Sequence, residues 1–493
     1  MSQELQKARE YEKIHSAFTA PADRPLFHLS PCVGWMNDPN GFSFYQGKYH
    51  MFYQYYPYDS HWGPMHWGHA VSEDLLHWTY FPAALAPDMP YDKDGCFSGS
   101  AIELPNGKQL LMYTGVRRER DEHGELREVQ TQNLAFGNGI QYEKYEGNPV
   151  LTEKDLPEGG SRHDFRDPKL LRCADGSYCA IIANNHMNFG GQILRYRSRD
   201  AIHWTLDGTV SSNQNRIGLM WECPDLFRLD GVDVLLASAQ DMLPKDFEYH
   251  NGNGSFYLLG QYDAETGRFL EESDHATDYG IDFYAPQTVL TPDGRRVMIG
   301  WMQNWDTCNM HTRSIPWFGQ MSLPRELSVR DGILYQQPIR ELEALRKSFV
   351  QHQNVRIENE EIRLPGIQGR TVDMVVELEP DGELFNRFAI RIAKNRVYQT
   401  TVSFRPHESV LKIDRKFSGS RRAFIHQRRA KVRHDKGRLK LRLILDRFSC
   451  EVFVNDGEKV LSMTVSTDLR AQDISFFADG RARINVCMYE LEE

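Results

Sequence analysis

The chain has 493 residues, 40% hydrophobic and 26% charged, with a formal net charge of -10. That length exceeds a usual single domain, so one large domain plus a smaller one is expected. The acidic balance leaves no basic surplus to neutralise phosphates and excludes nucleic acid as a partner. No run reaches the about 18 apolar residues of a membrane span.

The first residues, MSQELQKAREYEK, are charged and lack the apolar stretch of a signal peptide, so residues 1–21 read as a helical extension. The eight cysteines are scattered without CxxC pairs, which disfavours both a zinc site and a disulfide framework. A cytoplasmic protein with reduced thiols and no cofactor is expected.

From WMNDPNG (35–41) onward the chain repeats itself. NDPNGFSFYQGKYHMFY and RDPKLLRCADGSYCAII share an Asp-Pro, apolar residues, a turn glycine and an apolar run. The frame returns in ECPDLFRLDGVDVLLAS, in YAPQTVLTPDGRRVMIG and in FSGSAIELPNGKQLLMY, where Gly99 replaces the proline. The anchors Pro39, Gly99, Pro168, Pro224 and Pro286 are spaced by 60, 69, 56 and 62 residues. Each unit reads as a hairpin around an Asn-Gly, Asp-Gly or Gln-Gly turn, followed by further strands. Two units share a second frame, SEDLLHWT (72–79) and SRDAIHWT (198–205), whose HW pairs are therefore structural. Five units of about four strands predict an all-β, five-bladed β-propeller over 22–338.

Residues 339–352, with Leu342 and Leu345 among charges, read as a helical linker. Alternation in LKLRLIL (439–445) and a hairpin around Asn455-Asp456-Gly457 then predict a C-terminal β-sandwich over 353–493. The sandwich offers either a carbohydrate-binding module or a packing partner and homodimer surface. The basic pairs Arg421-Arg422 and Arg428-Arg429 read as solvated strand faces.

In a propeller the first strand of every blade lies nearest the axis, so residues before the anchors should converge at one mouth. Those are Asn37-Asp38, Phe97-Ser98, Arg166-Asp167, Glu222-Cys223 and Tyr284-Ala285. Three carboxylates meeting there would repel one another and resist burial, so function explains them better than stability. Glycoside hydrolysis needs two such acids, and Trp35, Gln54, Trp62, Phe97, Ser98, Trp301 and Trp305 are candidate sugar contacts. Cation binding would want more oxygen ligands close in sequence. His61, His66 and His69 would not share one strand face, so no metal site is expected. Cys223 reads as a small buried residue.

WMNDPNG, FSGS (97–100), FRDPK (165–169) and ECPDLF (222–227) together resemble the signatures of family 32 glycoside hydrolases, the β-fructofuranosidases. The resemblance implies a propeller followed by a sandwich and a retaining double displacement on terminal β-D-fructofuranosides such as sucrose. It implies Asp38 as nucleophile, Glu222 as acid/base and Asp167 as transition-state stabiliser. Asn37, Gln54, Trp62, Phe97, Ser98, Arg166 and Trp305 correspond to its sugar-contacting positions, and Trp35 is expected to bind substrate beside them. The two working carboxyls must titrate apart, and Asn37 and Asn40 beside Asp38 are expected to keep it charged. Rival readings are a sucrose-6-phosphate hydrolase, with His311 or Arg313 near the phosphate, a fructosyltransferase, and a non-catalytic fructan-binding propeller.

Overall fold

The computed structural model describes residues 1–121, 123–308, 315–419 and 425–492. Among them, five sheets begin with the strands Gly34–Tyr45, Gly95–Glu103, Gly160–Arg172, Met220–Leu229 and Tyr284–Leu290. These first strands neighbour one another in a closed ring, and the later strands of each sheet follow outward in antiparallel order, except that the short Trp317–Phe318 pairs parallel with Gly34–Tyr45 on its other side. The chain is a five-bladed propeller followed by a β-sandwich.

Local chemistry explains the repeat. The turn glycines Gly47, Gly107, Gly176, Gly231 and Gly294 all have positive φ, the conformation that tight hairpins demand and a Cβ resists. The anchors sit at β-bulges: every inner strand slips by one residue against its neighbour, at 36–39, 97–99, 166–169, 222–225 and 284–287. Proline has no N–H for the ladder and survives where the ladder is already broken. The SEDLLHWT frame is a tight corner. Asp74 accepts hydrogen bonds from the Leu76 and His77 N–H groups, and Asp200 does the same for Ile202 and His203. Leu75 and Ala201 take up positive φ at the two corners.

Apolar clusters fill the wedges between blades. Phe52, Trp67, Tyr113 and Ala135 lie between the first and second, and Leu110, Leu134, Phe165, Ile182 and Leu194 between the second and third. Each large side chain buried there contributes roughly 1.5–3 kcal/mol. The helix Gln3–His15 covers the outer edge of blade one. Arg9 Nε donates to the Ala83 carbonyl at 2.9 Å and Glu12 accepts from the Ala83 N–H at 2.8 Å, so two side chains satisfy an otherwise open strand edge.

The span 339–352 is not a helical linker. Only Arg340–Leu345 is helical, as a 3-10 turn, and Arg346–Glu358 is already a sandwich strand paired with Arg481–Leu491. Leu342 and Leu345 are both buried, and a spacing of three suits a 3-10 turn as well as an α-helix. Among the described residues the sandwich consists of two six-stranded sheets. A buried polar network joins it to the propeller. Arg325 donates to Glu451 and Asp278, and His28 places one ring nitrogen 2.8 Å from Asp446 and the other 3.0 Å from Glu451. Arg415 of the sandwich pairs with Asp282 of the propeller.

Candidate active site

A funnel of about 330 Å3 opens at one mouth of the ring and is lined by residues of all five blades. Asn37 and Asp38 come from blade one, Phe97 and Ser98 from blade two, Arg166 and Asp167 from blade three, Glu222 from blade four, and Trp305 follows the second strand of blade five. The bulges deliver them. The residue before the proline takes positive φ at Asp167, Cys223 and Ala285 (63°, 49° and 50°). Such backbone is costly away from glycine and is found where a side chain must be re-aimed.

The three acids form one connected cluster. Cys223 Sγ lies 3.6 Å from Asp38 Oδ2 and 3.5 Å from Asp167 Oδ2, and the Cys223 N–H donates to Asp167 at 3.0 Å. Ser98 donates to Asp38 Oδ2 at 2.8 Å, while Asp38 Oδ1 is buried without a hydrogen-bonding partner. Across the funnel, Arg166 binds Glu222 at 2.9 Å and Asp164 at 3.0 Å. The Tyr284 hydroxyl donates to the other Glu222 oxygen at 2.5 Å. The Asp167 N–H donates to Thr114 at 3.0 Å.

Burial dominates the electrostatics. It pushes Asp38 up to about 6, with the nearby Glu222 carboxyl adding to the rise and the Ser98 hydrogen bond opposing it. Asp167 is pushed up to about 7 by burial; Arg166 pulls it down, and Glu222 and Asp38 push it up. The expectation that neighbouring amides keep Asp38 low is corrected accordingly: Asp38 is only 8% exposed, and losing water outweighs the local donors. The Cys223 thiol is likewise raised, first by burial and then by Asp167 and Asp38, which makes it a neutral spacer between two carboxyls.

Of the proposed sugar contacts, Asn37, Gln54, Trp62, Phe97, Ser98, Arg166 and Trp305 line the funnel. Trp35 does not. It is fully buried beneath the wall, donates from Nε1 to Asn37 at 2.7 Å and stacks on Phe318 at 4.8 Å. Its strand face points into the core, so it positions Asn37 rather than meeting a ligand. Trp301 is also fully buried. The three histidines serve separate contacts: His61 with Asp59 at 2.9 Å, His66 with the Pro64 carbonyl at 2.9 Å and His69 with His50 at 3.0 Å. His311 and Arg313 lie outside the described residues.

Glu128, Gln130, His163, Asp164 and Gln240 also line the funnel and carried no signal in the repeat. Glu128 and Gln130 belong to the third strand of blade two, Leu126–Gly137, and reach the mouth because that strand is 12 residues long. Tyr284 is visible among the residues before the blade-five anchor, although nothing in the sequence ties it to Glu222.

Clustered carboxyls facing amide, hydroxyl and aromatic groups in a funnel define a glycosidase on a propeller scaffold. Residues 28–338 match the Glycosyl hydrolases family 32 N-terminal domain, and residues 341–489 match the Glycosyl hydrolases family 32 C terminal. A raffinose invertase of Escherichia coli is 36% identical over 488 residues, 97% of each chain. A sucrose-6-phosphate hydrolase of the same organism is 38% identical over 468 residues, 92% of this chain and 91% of that one. Among solved structures, a β-fructofuranosidase from Bombyx mori is 34% identical and covers 99% of this chain and 98% of its own, with a TM-score of 0.83. The chain belongs to glycosyl hydrolase family 32.

Proposed function

We propose that the protein is a retaining β-fructofuranosidase that hydrolyses sucrose and short fructo-oligosaccharides by double displacement, with Asp38 as nucleophile, Glu222 as acid/base and Asp167 as stabiliser. The observation that carries this reading is the meeting of acids from blades one, three and four around one funnel, tied by Cys223 on one side and Arg166 on the other.

Asp38 attacks the anomeric C2 from the funnel wall, with Ser98 holding its Oδ2 in place. Glu222, held by Tyr284 and Arg166, gives its proton to the departing glycosidic oxygen and later takes one from the incoming water. Asp167 accepts fructose hydroxyls and faces the positive charge that develops on the ring. Asn37, Gln54 and Ser98 supply polar contacts, and Phe97, Trp62 and Trp305 supply apolar walls. No step requires a cofactor. The eight unpaired cysteines suit a reducing, cytoplasmic setting, and among the described residues no helix is long and apolar enough to cross a membrane. The half-exposed Phe349 and Phe417 of the sandwich are candidate contacts for a homodimer.

The test compares kcat/KM on sucrose, inulin-type oligosaccharides and levan, together with Glu222→Ala. That variant should retain the first step on a fructoside with an activated leaving group and lose it on sucrose. Equal loss on both substrates counts against the acid/base role.

A further inference from the structure

Resting on the β-fructofuranosidase reading, we infer that the leaving-group side of the funnel selects a neutral sugar and rejects a phosphorylated one, with Glu128 and Asp164 as the discriminating residues. The leaving group must touch Glu222. From there Arg166 leads outward to Asp164 and to Gln130, at 3.0 and 3.3 Å, and then to Glu128 and His163 on the same wall. Exposure separates this rim from the reacting centre: the side chains of Glu128 and Asp164 are 33% and 31% exposed, whereas Asp38 and Asp167 are nearly covered. A sugar leaving from Glu222 therefore passes along a wall that carries two outer carboxylates.

The cations on that wall are already committed. Arg166 is shared between Glu222 and Asp164, and Arg118 pairs with Glu128 at 3.1 Å. His163 turns Nδ1 to the Glu128 carbonyl. With the catalytic acids included, the described lining of the funnel holds five carboxyls and one guanidinium, Arg166, while Arg118 pairs with Glu128 without lining it. A phosphate ester entering there adds nearly two negative charges to a surplus of the same sign. Among the described residues, it would have to displace an existing contact of Arg166, Arg118 or His163 to gain a cationic partner. The walls of the funnel focus such repulsion, and juxtaposed like charges cost enough to decide specificity.

The experiment measures kcat/KM for sucrose and sucrose 6-phosphate with the full chain, at low and moderate ionic strength. Sucrose should be preferred by at least about tenfold, and the gap should narrow as salt screens the rim. Glu128→Lys should move the ratio toward the phosphate ester by roughly tenfold or more, and Glu128→Gln by less in the same direction, with melting temperature confirming that each variant folds. Glucose 6-phosphate should inhibit sucrose cleavage more weakly than glucose. Equal or better cleavage of sucrose 6-phosphate by the native chain, or a ratio unmoved by both folded variants, overturns the inference while leaving the fructosidase reading intact. Failure of the native chain to cleave either sugar removes that reading and the inference with it.

Discussion

Asp38 combines a free, buried Oδ1 with an Oδ2 fixed by Ser98, and both features bear on how the residue should behave when altered. Its carboxyl titrates at about 6 in the folded chain, against 3.8 as its ordinary value. For an acid this sign means that folding disfavours the charged form. The stability it withholds is small below pH 4, builds as pH rises from about 4 to 6 and is complete above 6, at about 3 kcal/mol. Asp38→Asn should therefore abolish activity, on the order of 10^4-fold or more, yet melt at a higher temperature than the native chain at pH 7.5. The two should melt together near pH 4. Calorimetry at the two pH values checks this, and a variant that is less stable at pH 7.5 counts against the burial argument. The native kcat/KM should also fall as pH drops through about 6, where Asp38 takes up a proton. Tyr284→Phe removes the 2.5 Å hydrogen bond to Glu222 and should lower kcat on sucrose by roughly 10- to 100-fold, with the fold retained.

Each inner strand works as an element because of its bulge. A regular strand would alternate faces, whereas the one-residue slip brings consecutive residues such as Arg166 and Asp167 to the same funnel. Blade two shows why one anchor is not proline. A Cβ at position 99 would lie 2.0 Å from the Met112 carbonyl oxygen of the neighbouring strand, and the antiparallel pairing leaves that backbone no room to retreat. Gly99→Ala should cost about 3 kcal/mol or more, read as a lower denaturant midpoint or loss of soluble protein. Loss of activity should accompany it, because Ser98 and its bond to Asp38 are adjacent. A Gly99→Ala chain of native stability would show that the strands can separate locally.

At the scale of the whole molecule, the sandwich is bound to the propeller by buried charges as well as apolar contact. His28 is opposed by its burial, yet its hydrogen bonds to Asp446 and Glu451 push it up to about 9 from 6.5. A cation whose folded value is raised contributes stability that is complete below pH 6.5 and is lost as pH rises through 9, roughly 3 kcal/mol in all. The native melting temperature should fall across pH 7 to 9.5, and His28→Gln should lower stability at pH 6.5 while flattening that decline. Arg325→Met leaves Glu451 and Asp278 without their guanidinium and should cost about 3–5 kcal/mol, since an unpaired buried charge is worse than none. A mild loss would mean water enters the interface.

The repeat, the turns and the identity of the three acids were legible in the amino-acid order because each rests on a local property. Glycine alone accepts the turn backbone, proline tolerates only a broken ladder, and five anchors in register imply a closed ring. Glu222, Asp167 and Asp38 followed from that ring as convergent residues. Only the folded structure decided which way side chains face and what the surroundings do to their charge. Trp35 sits in the motif but turns inward, and Arg346–Glu358 became a strand because Arg481–Leu491 was there to pair with it. Glu128, His163 and Gln240 joined the funnel through strand length and blade packing, and Asp38 rose to about 6 because water is excluded around it. Conformational preference is written residue by residue, whereas burial and facing depend on distant segments that meet only when the ring has closed.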